Sequence, residues 1–348
     1  MRALTMVPHT AGSLQASEVP EPTRGEDELL VDGVALGVCG TDREIVAGDY
    51  GWAPPGEERL IIGHESLGRV REAPEGSDFR PGDLVVGIVR RPDPVPCGAC
   101  AHGEFDMCRN GRYTERGIKQ LHGFGSEVWT IETDYAVRID PALGNLGVLL
   151  EPATVVAKAW DHIQRIGDRA WFEPRRVLVA GAGPIGLLAG LLGAQRGLDV
   201  HALDRVTGGA KPKIVANLGG TYHTGSLADV TAKVSPDIVI EATGVPQLVM
   251  DAIGDSAASV VCLTGVSRAG HRIEVDAGDL NRQTVLHNAA VFGSVNANHR
   301  HYALAAEALT RADRSWLAQL ITNRLPLDRA PETLAGGSDD DVKVVIDL

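Results

Sequence analysis

The chain has 348 residues, 44% hydrophobic and 23% charged, a composition that suits a globular protein of two domains and excludes a disordered chain. Thirty-three basic residues against 46 acidic ones give a net charge of −13, which excludes nucleic-acid binding as the main function, because phosphate contacts need a cationic face. The 41 glycines follow no repeating period, so they point to tight turns and close backbone approaches rather than to collagen.

In chain order, Met1 runs directly into strand-like residues 2–7, and we expect no secretory leader. The longest apolar stretch, 177–194, is interrupted by five glycines and a proline, so no membrane span is expected. Residues 28–34, 60–63, 84–89 and 127–131 read as strands separated by Pro/Gly/Asp turns. After Glu151-Pro152 the texture changes. Residues 153–166 have a helical period, with Val156, Ala159, Trp160 and Ile163 on one side. Strands at 177–180, 200–203, 238–241, 260–264 and 291–294 then alternate with helical segments such as 186–196. Such alternation predicts an α/β domain with a doubly wound parallel sheet. A last strand at 342–346 is placed to pair back onto the first domain. The expected division is 1–155, completed by 300–348, and 156–299.

Gly181-Ala182-Gly183-Pro184-Ile185-Gly186 follows a strand and opens a helix. In this pattern the glycines allow a tight turn, close approach of the backbone to a pyrophosphate, and close helix–strand packing. Asp204, 18 residues beyond Gly186 at the next strand end, is placed to bind an adenosine ribose. Its carboxylate repels a 2′-phosphate and favours NAD, whereas Arg205 could bind that phosphate; the balance leans to NAD over NADP, with dual use open.

Cys39 sits just after a strand, His64 and Glu65 follow another, and Glu151 stands at the domain junction. A thiolate, an imidazole and carboxylates make a mixed donor set suited to a catalytic zinc with one exchangeable position. The five cysteines are Cys39, Cys97, Cys100, Cys108 and Cys262. An odd, clustered set suggests metal or thiol chemistry in a reducing cytoplasm rather than a disulfide framework. Cys262 falls in a core strand and reads as an inert buried residue.

Gly37-Val38-Cys39-Gly40-Thr41-Asp42, Gly63-His64-Glu65-Ser66-Leu67-Gly68, Pro81-Gly82-Asp83-Leu84-Val85 and the run Gly181 to Gly186 together resemble the zinc-containing medium-chain dehydrogenases. That family combines a GroES-like catalytic domain with a Rossmann domain. Cys39 to Val46, Glu115-Arg116-Gly117-Ile118 with His122-Gly123-Phe124, Glu151-Pro152 with Lys158-Ala159, and Val285 to Asn288 leading to Asn296 resemble its archaeal-type glucose dehydrogenase branch.

The resemblance implies Cys39, His64 and Glu65 as catalytic zinc ligands, with Glu151 ligating directly or through water. It implies Asp42 as the acid that fixes the His64 tautomer and Thr41 as the hydroxyl that contacts the reacting oxygen. Glu115, Glu151, Asn296 and Thr41 fall at substrate positions. Gly181, Gly183, Pro184, Ile185, Gly186, Asp204, Arg205, Thr243, Gly265, Val266 and Asn296 fall at cofactor positions. The competing reading of Glu115 is a solvated acid in the charged loop Thr114-Glu115-Arg116.

Two departures stand out. Many alcohol dehydrogenases carry a relay histidine where this chain has Glu44, and the branch's second sugar-binding acid is here Val155. Cys97, Cys100 and Cys108 resemble a structural zinc lobe that has lost its third cysteine; Asp93, His102 or Asp106 could supply the fourth ligand, or the lobe holds no metal.

The function expected is a zinc- and NAD(P)-dependent dehydrogenase that oxidises an aldose such as glucose at C1. The alternatives are another polyol, a cyclitol or amino-sugar intermediate, or a simple secondary alcohol; a redox-inactive cofactor-binding sensor would usually lose its metal ligands. Relatives of the family are homodimers or homotetramers that pair Rossmann sheet edges, and residues 260–263 and 291–292 are the expected edge material.

Overall fold

A computed structural model describes residues 1–254, 258–334, 336 and 341–348. The chain divides into two units, Met1–Thr154 with Asn296–Leu348, and Val155–Val295.

The first unit is built on a seven-stranded sheet. Its centre is the long strand Glu28–Val38, which pairs antiparallel with Glu65–Glu72, Val128–Glu132 and Lys343–Asp347. The last pairing, Val344↔Val38 to Asp347↔Ala35, returns the end of the chain to the first unit, as expected from the apolar run at 342–346. Leu29, Val31, Leu36, Val70, Val85, Phe124, Trp129 and Ile131 form much of the core. Full burial of each such side chain contributes about 1.5–3 kcal/mol. This core fixes the ends of Glu28–Val38 and Glu65–Glu72, where the polar side chains of interest stand.

The second unit is a six-stranded parallel sheet in the order Thr221–His223, Asp199–Leu203, Arg176–Ala180, Ile238–Glu241, Val260–Leu263, Ala290–Gly293. The strand order reverses between Arg176–Ala180 and Ile238–Glu241, and in open α/β sheets ligands bind beyond the strand ends at such a switch. The helix expected at 186–196 runs Pro184–Ala194, two residues earlier, because Pro184 suits the first helical turn.

One expectation is corrected. Val260–Leu263 is not edge material: it pairs with Ile238–Glu241 on one side and Ala290–Gly293 on the other. Its short β-branched, uncharged sequence reads equally well as a buried interior strand. Ala290–Gly293 does form an edge of this sheet, and the strand Thr221–His223, not anticipated from sequence, forms the other.

Candidate active site

Cys39 follows the strand Glu28–Val38 and caps the short helix Gly40–Val46. Its Sγ accepts the Thr41 N–H at 3.3 Å, and Asp42 Oδ2 accepts the Cys39 N–H at 2.9 Å, a reciprocal cap that sets both side chains. His64 presents Nε2 to Cys39 Sγ at 3.0 Å, and its Nδ1 lies 3.3 Å from Asp42 Oδ1. That second pair is close enough for charge attraction but lacks hydrogen-bond geometry, so both atoms are buried polar atoms without a hydrogen-bond partner.

Glu65 begins the next strand and lies over Gly37, where a Cβ would stand 2.0 Å from Glu65 Oε2; only glycine leaves room for the carboxylate. Both Glu65 oxygens accept from Lys343 Nζ, at 2.7 and 2.6 Å, and the same ammonium donates to the Val38 carbonyl at 3.0 Å.

One donor atom each from Cys39, His64 and Glu65 lies within 4.8 Å of the others. Zinc bonds of about 2.0–2.3 Å to nitrogen, oxygen and sulfur fit such a cluster, so the residues present suit the metal that the donor chemistry implies. Burial pulls the His64 pKa down, but Cys39 and Asp42 outweigh it and hold the imidazole well above its ordinary value. Burial pushes the Cys39 thiol up, against the opposing pull of His64.

Glu151 stands in the first turn of the helix Leu150–Gly167 and is buried. Burial and the nearby Glu65 charge push its carboxyl up to about 7 despite His64. It lies outside the mutual 4.8 Å donor set.

Glu115 is not a solvated acid. It is 5% exposed and paired across two short strands with Arg90, whose Nε and Nη2 donate to Oε1 at 3.0 and 2.9 Å. Asn296 Nδ2 donates to the same oxygen at 2.7 Å. Glu115 and Asn296, far apart in sequence, are thus brought together. Thr41 lies in the first turn of the helix Gly40–Val46, partly exposed.

In the second unit, the Gly186 position admits no side chain, since a Cβ would lie 1.8 Å from the Gly181 carbonyl oxygen. Gly183 caps the helix that Pro184 and Ile185 open. Asp204 Oδ2 accepts the Ala182 N–H at 2.8 Å and lies 3.2 Å from Lys211 Nζ. Burial would raise its pKa, but the Val206 and Ala182 N–H groups and Lys211 hold it below the usual value. Arg205 is exposed beside it. Thr243 donates its N–H to Glu241 Oε1 at 2.7 Å and also its hydroxyl, while the Gly265 N–H donates to the Glu241 carbonyl at 3.1 Å. Val266 is 72% exposed.

In the cysteine lobe, one sulfur each from Cys97, Cys100 and Cys108 lies within 4.8 Å of the others. The Arg109 and Cys100 N–H groups lower the Cys97 thiol to about 6. The three candidates for a fourth ligand are held elsewhere. Asp93 binds Val95, Asn110 and Arg112; His102 Nδ1 lies 2.7 Å from the Gly98 carbonyl; Asp106 accepts from Asn298. Three donors fit a closed four-ligand zinc site incompletely. Cys262 is fully buried, and burial pushes its thiol up to about 12.

Sequence reasoning missed Lys343, Arg90, Lys211 and Glu241. Lys343 had a signal, as the lone charge inside Val342-Lys343-Val344-Val345-Ile346; the others had none without the strand pairing.

Residues 144–348 match the family described as glucose dehydrogenase C-terminus, and residues 25–141 match the alcohol dehydrogenase GroES-like domain. The chain belongs to the glucose dehydrogenase family. It is 39% identical to a glucose 1-dehydrogenase of Methanocella arvoryzae over 100% of this chain and 99% of that protein. It is 38% identical to glucose 1-dehydrogenase 2 of Vulcanisaeta moutnovskia, with the same coverage. Among solved structures, Haloferax mediterranei glucose dehydrogenase in complex with NADP, Zn and gluconolactone superposes with a TM-score of 0.91 at 32% identity, covering 100% of this chain and 99% of that one. Among the described residues no helix is long and apolar enough to cross a membrane.

Proposed function

We propose that the chain oxidises an aldose such as glucose at C1 to the lactone, using zinc and a nicotinamide dinucleotide. The observation that carries this reading is the hydrogen-bonded pair of buried Glu115 and half-buried Asn296, in the same unit as the Cys39–His64–Glu65 donor set. An apolar substrate would leave Glu115 Oε2, which no donor reaches among the described residues, without a partner.

Cys39, His64 and Glu65 would hold the metal, with Glu151 ligating it directly or through water. When bound, zinc supplies Lewis acidity at the reacting oxygen and the oxidised dinucleotide supplies the hydride acceptor. Asp42 keeps the His64 ring oriented with Nε2 toward the donor cluster. Thr41 contacts the reacting hydroxyl and passes its proton onward; with Glu44 in place of a relay histidine, that proton leaves to water. Glu115 accepts from a sugar hydroxyl.

Gly181, Gly183, Pro184, Ile185 and Gly186 would cradle the pyrophosphate, Asp204 would bind the ribose, and Thr243, Gly265 and Val266 would flank the dinucleotide. The Asp204 carboxylate favours NAD, while Lys211 and Arg205 leave NADP usable. Val155, in place of a second sugar-binding acid, favours as the second reading another polyol, a cyclitol or an amino-sugar intermediate.

Cys97, Cys100 and Cys108 would hold a structural zinc with its fourth position open. The strand Ala290–Gly293, an edge of its sheet among the described residues, supports a homodimer or homotetramer, and five free cysteines suit a reducing cytoplasm. The test is a screen of sugars and polyols for NAD(P)H absorbance with zinc-loaded protein and both cofactors. Glucose or a close aldose should head the ranking. Turnover of simple alcohols alone would overturn the reading.

A further inference from the structure

Resting on the sugar-oxidising function above, we propose that Arg90 is a positioning residue, which pins one oxygen of Glu115 so that the other is presented to a hydroxyl donor of the substrate. The hydrogen bonds on Glu115 are one-sided. Arg90 Nε at 3.0 Å, Arg90 Nη2 at 2.9 Å and Asn296 Nδ2 at 2.7 Å all converge on Oε1. Three donors exceed the two lone pairs of one carboxylate oxygen, so Oε1 has no capacity left. Among the described residues no donor reaches Oε2, and that atom is not among the buried polar atoms closed off without a partner.

Both donors are themselves fixed. The Arg90 side chain is 7% exposed, gives Nη1 to the Asp106 carbonyl at 2.9 Å, and lies over the Tyr113 ring with 3.7 Å to its centroid. Strand pairing places Arg90 directly opposite Glu115. Asn296 has a left-handed backbone, φ 62°, and its Oδ1 accepts the Ala297 N–H at 2.8 Å, which turns the amide NH2 toward Glu115. Asparagine adopts that region more readily than other non-glycine residues.

A carboxylate oxygen prepared in this way can only accept. The substrate group that meets it must donate, as a hydroxyl does. An ether, a carbonyl or a phosphate ester at the same carbon brings no proton and leaves Oε2 unpaired. Arg90 thereby sets specificity without touching the reacting atoms.

The test is a double-mutant cycle of Arg90→Lys and Glu115→Gln on glucose, with cofactor affinity and melting temperature measured alongside. Arg90→Lys keeps the charge but loses the two-pronged grip on Oε1. Its KM for glucose should rise about tenfold while kcat and cofactor affinity change little. The double variant should be no worse than Glu115→Gln alone. Across monodeoxy glucoses, the analogue lacking the hydroxyl that faces Oε2 should lose its penalty in Arg90→Lys. Multiplicative losses in the cycle, or a fall in cofactor affinity with KM unchanged, would overturn the positioning role. If Arg90→Lys fails to fold, Arg90→Gln, which keeps a planar donor group but loses the two-pronged grip on Oε1, goes through the same cycle. A wild type that oxidises no sugar would remove the functional reading and this role with it; a wild type that oxidises glucose with an additive cycle removes the role of Arg90 alone.

Discussion

Lys343→Met should weaken the fold more than any surface change, and by an amount that depends on metal. Lys343 is fully buried and its Nζ meets both Glu65 oxygens and the Val38 carbonyl. Methionine fills nearly the same volume, so packing is retained and the change isolates the charge. It leaves the Glu65 carboxylate, itself 2% exposed at the side chain, buried without its cation. Removing one partner of a buried ion pair costs about 3–5 kcal/mol. Urea denaturation of chelator-treated protein should show a loss of that size. Zinc-loaded protein should lose less, because a cation bound only to the native state compensates Glu65 and adds its own binding energy. In a Glu65→Gln background the Lys343→Met loss should shrink, since the two residues share one interaction. A Lys343→Met protein within about 0.5 kcal/mol of wild type in chelator, the range of an ordinary surface substitution, would refute the argument.

Asp204→Ala should raise kcat/KM for NADP relative to NAD by about tenfold or more, the worth of a hydrogen bond to a charged group; an unchanged ratio would show that Asp204 does not face the ribose. Cys39→Ser or His64→Ala should lose catalytic metal, read by elemental analysis, and turnover, but keep dinucleotide binding, because the Gly181 to Gly186 loop lies in the other unit; retention of both metal and turnover would count against this donor set. Glu132 supplies a pH test. Burial would raise its pKa, but Arg91, with contacts at 3.1 and 2.7 Å, and Arg116 pull it to about 2. A folded value below the ordinary 4.5 gives stability that is present above about pH 4.5 and is lost as pH falls toward 2. Its side chain is 40% exposed, so solvent screening limits the contribution to about 1 kcal/mol. The stability gap between wild type and Glu132→Gln should therefore close over that window, and a constant gap would contradict the assignment.

The parts of the site legible in sequence were those written in contiguous motifs. The glycine run after a strand carries its own geometry, and Cys39 and Asp42 lie one helical turn apart, so their mutual cap needs no distant partner. His64 and Glu65 were legible as donor types, though only the pairing Gly37↔Glu65 shows why they lie beside Cys39. Lys343 reaches Glu65 because the last strand returns antiparallel onto Glu28–Val38, a register no local pattern specifies. Arg90 meets Glu115 through two strands of two and three residues, too short to show any period. The interior position of Val260–Leu263 was illegible for a related reason: an apolar β-branched tetrapeptide reads the same at an edge as in the middle of a parallel sheet.

The most direct test of the central claim follows the hydrogen itself. Zinc-loaded protein is incubated with oxidised dinucleotide and glucose deuterated at C1, and the reduced dinucleotide is analysed by mass spectrometry. Oxidation at C1 predicts one deuterium in the reduced cofactor together with gluconolactone or its hydrolysis product. Reduced cofactor that carries no deuterium from C1-labelled glucose would contradict oxidation at that carbon.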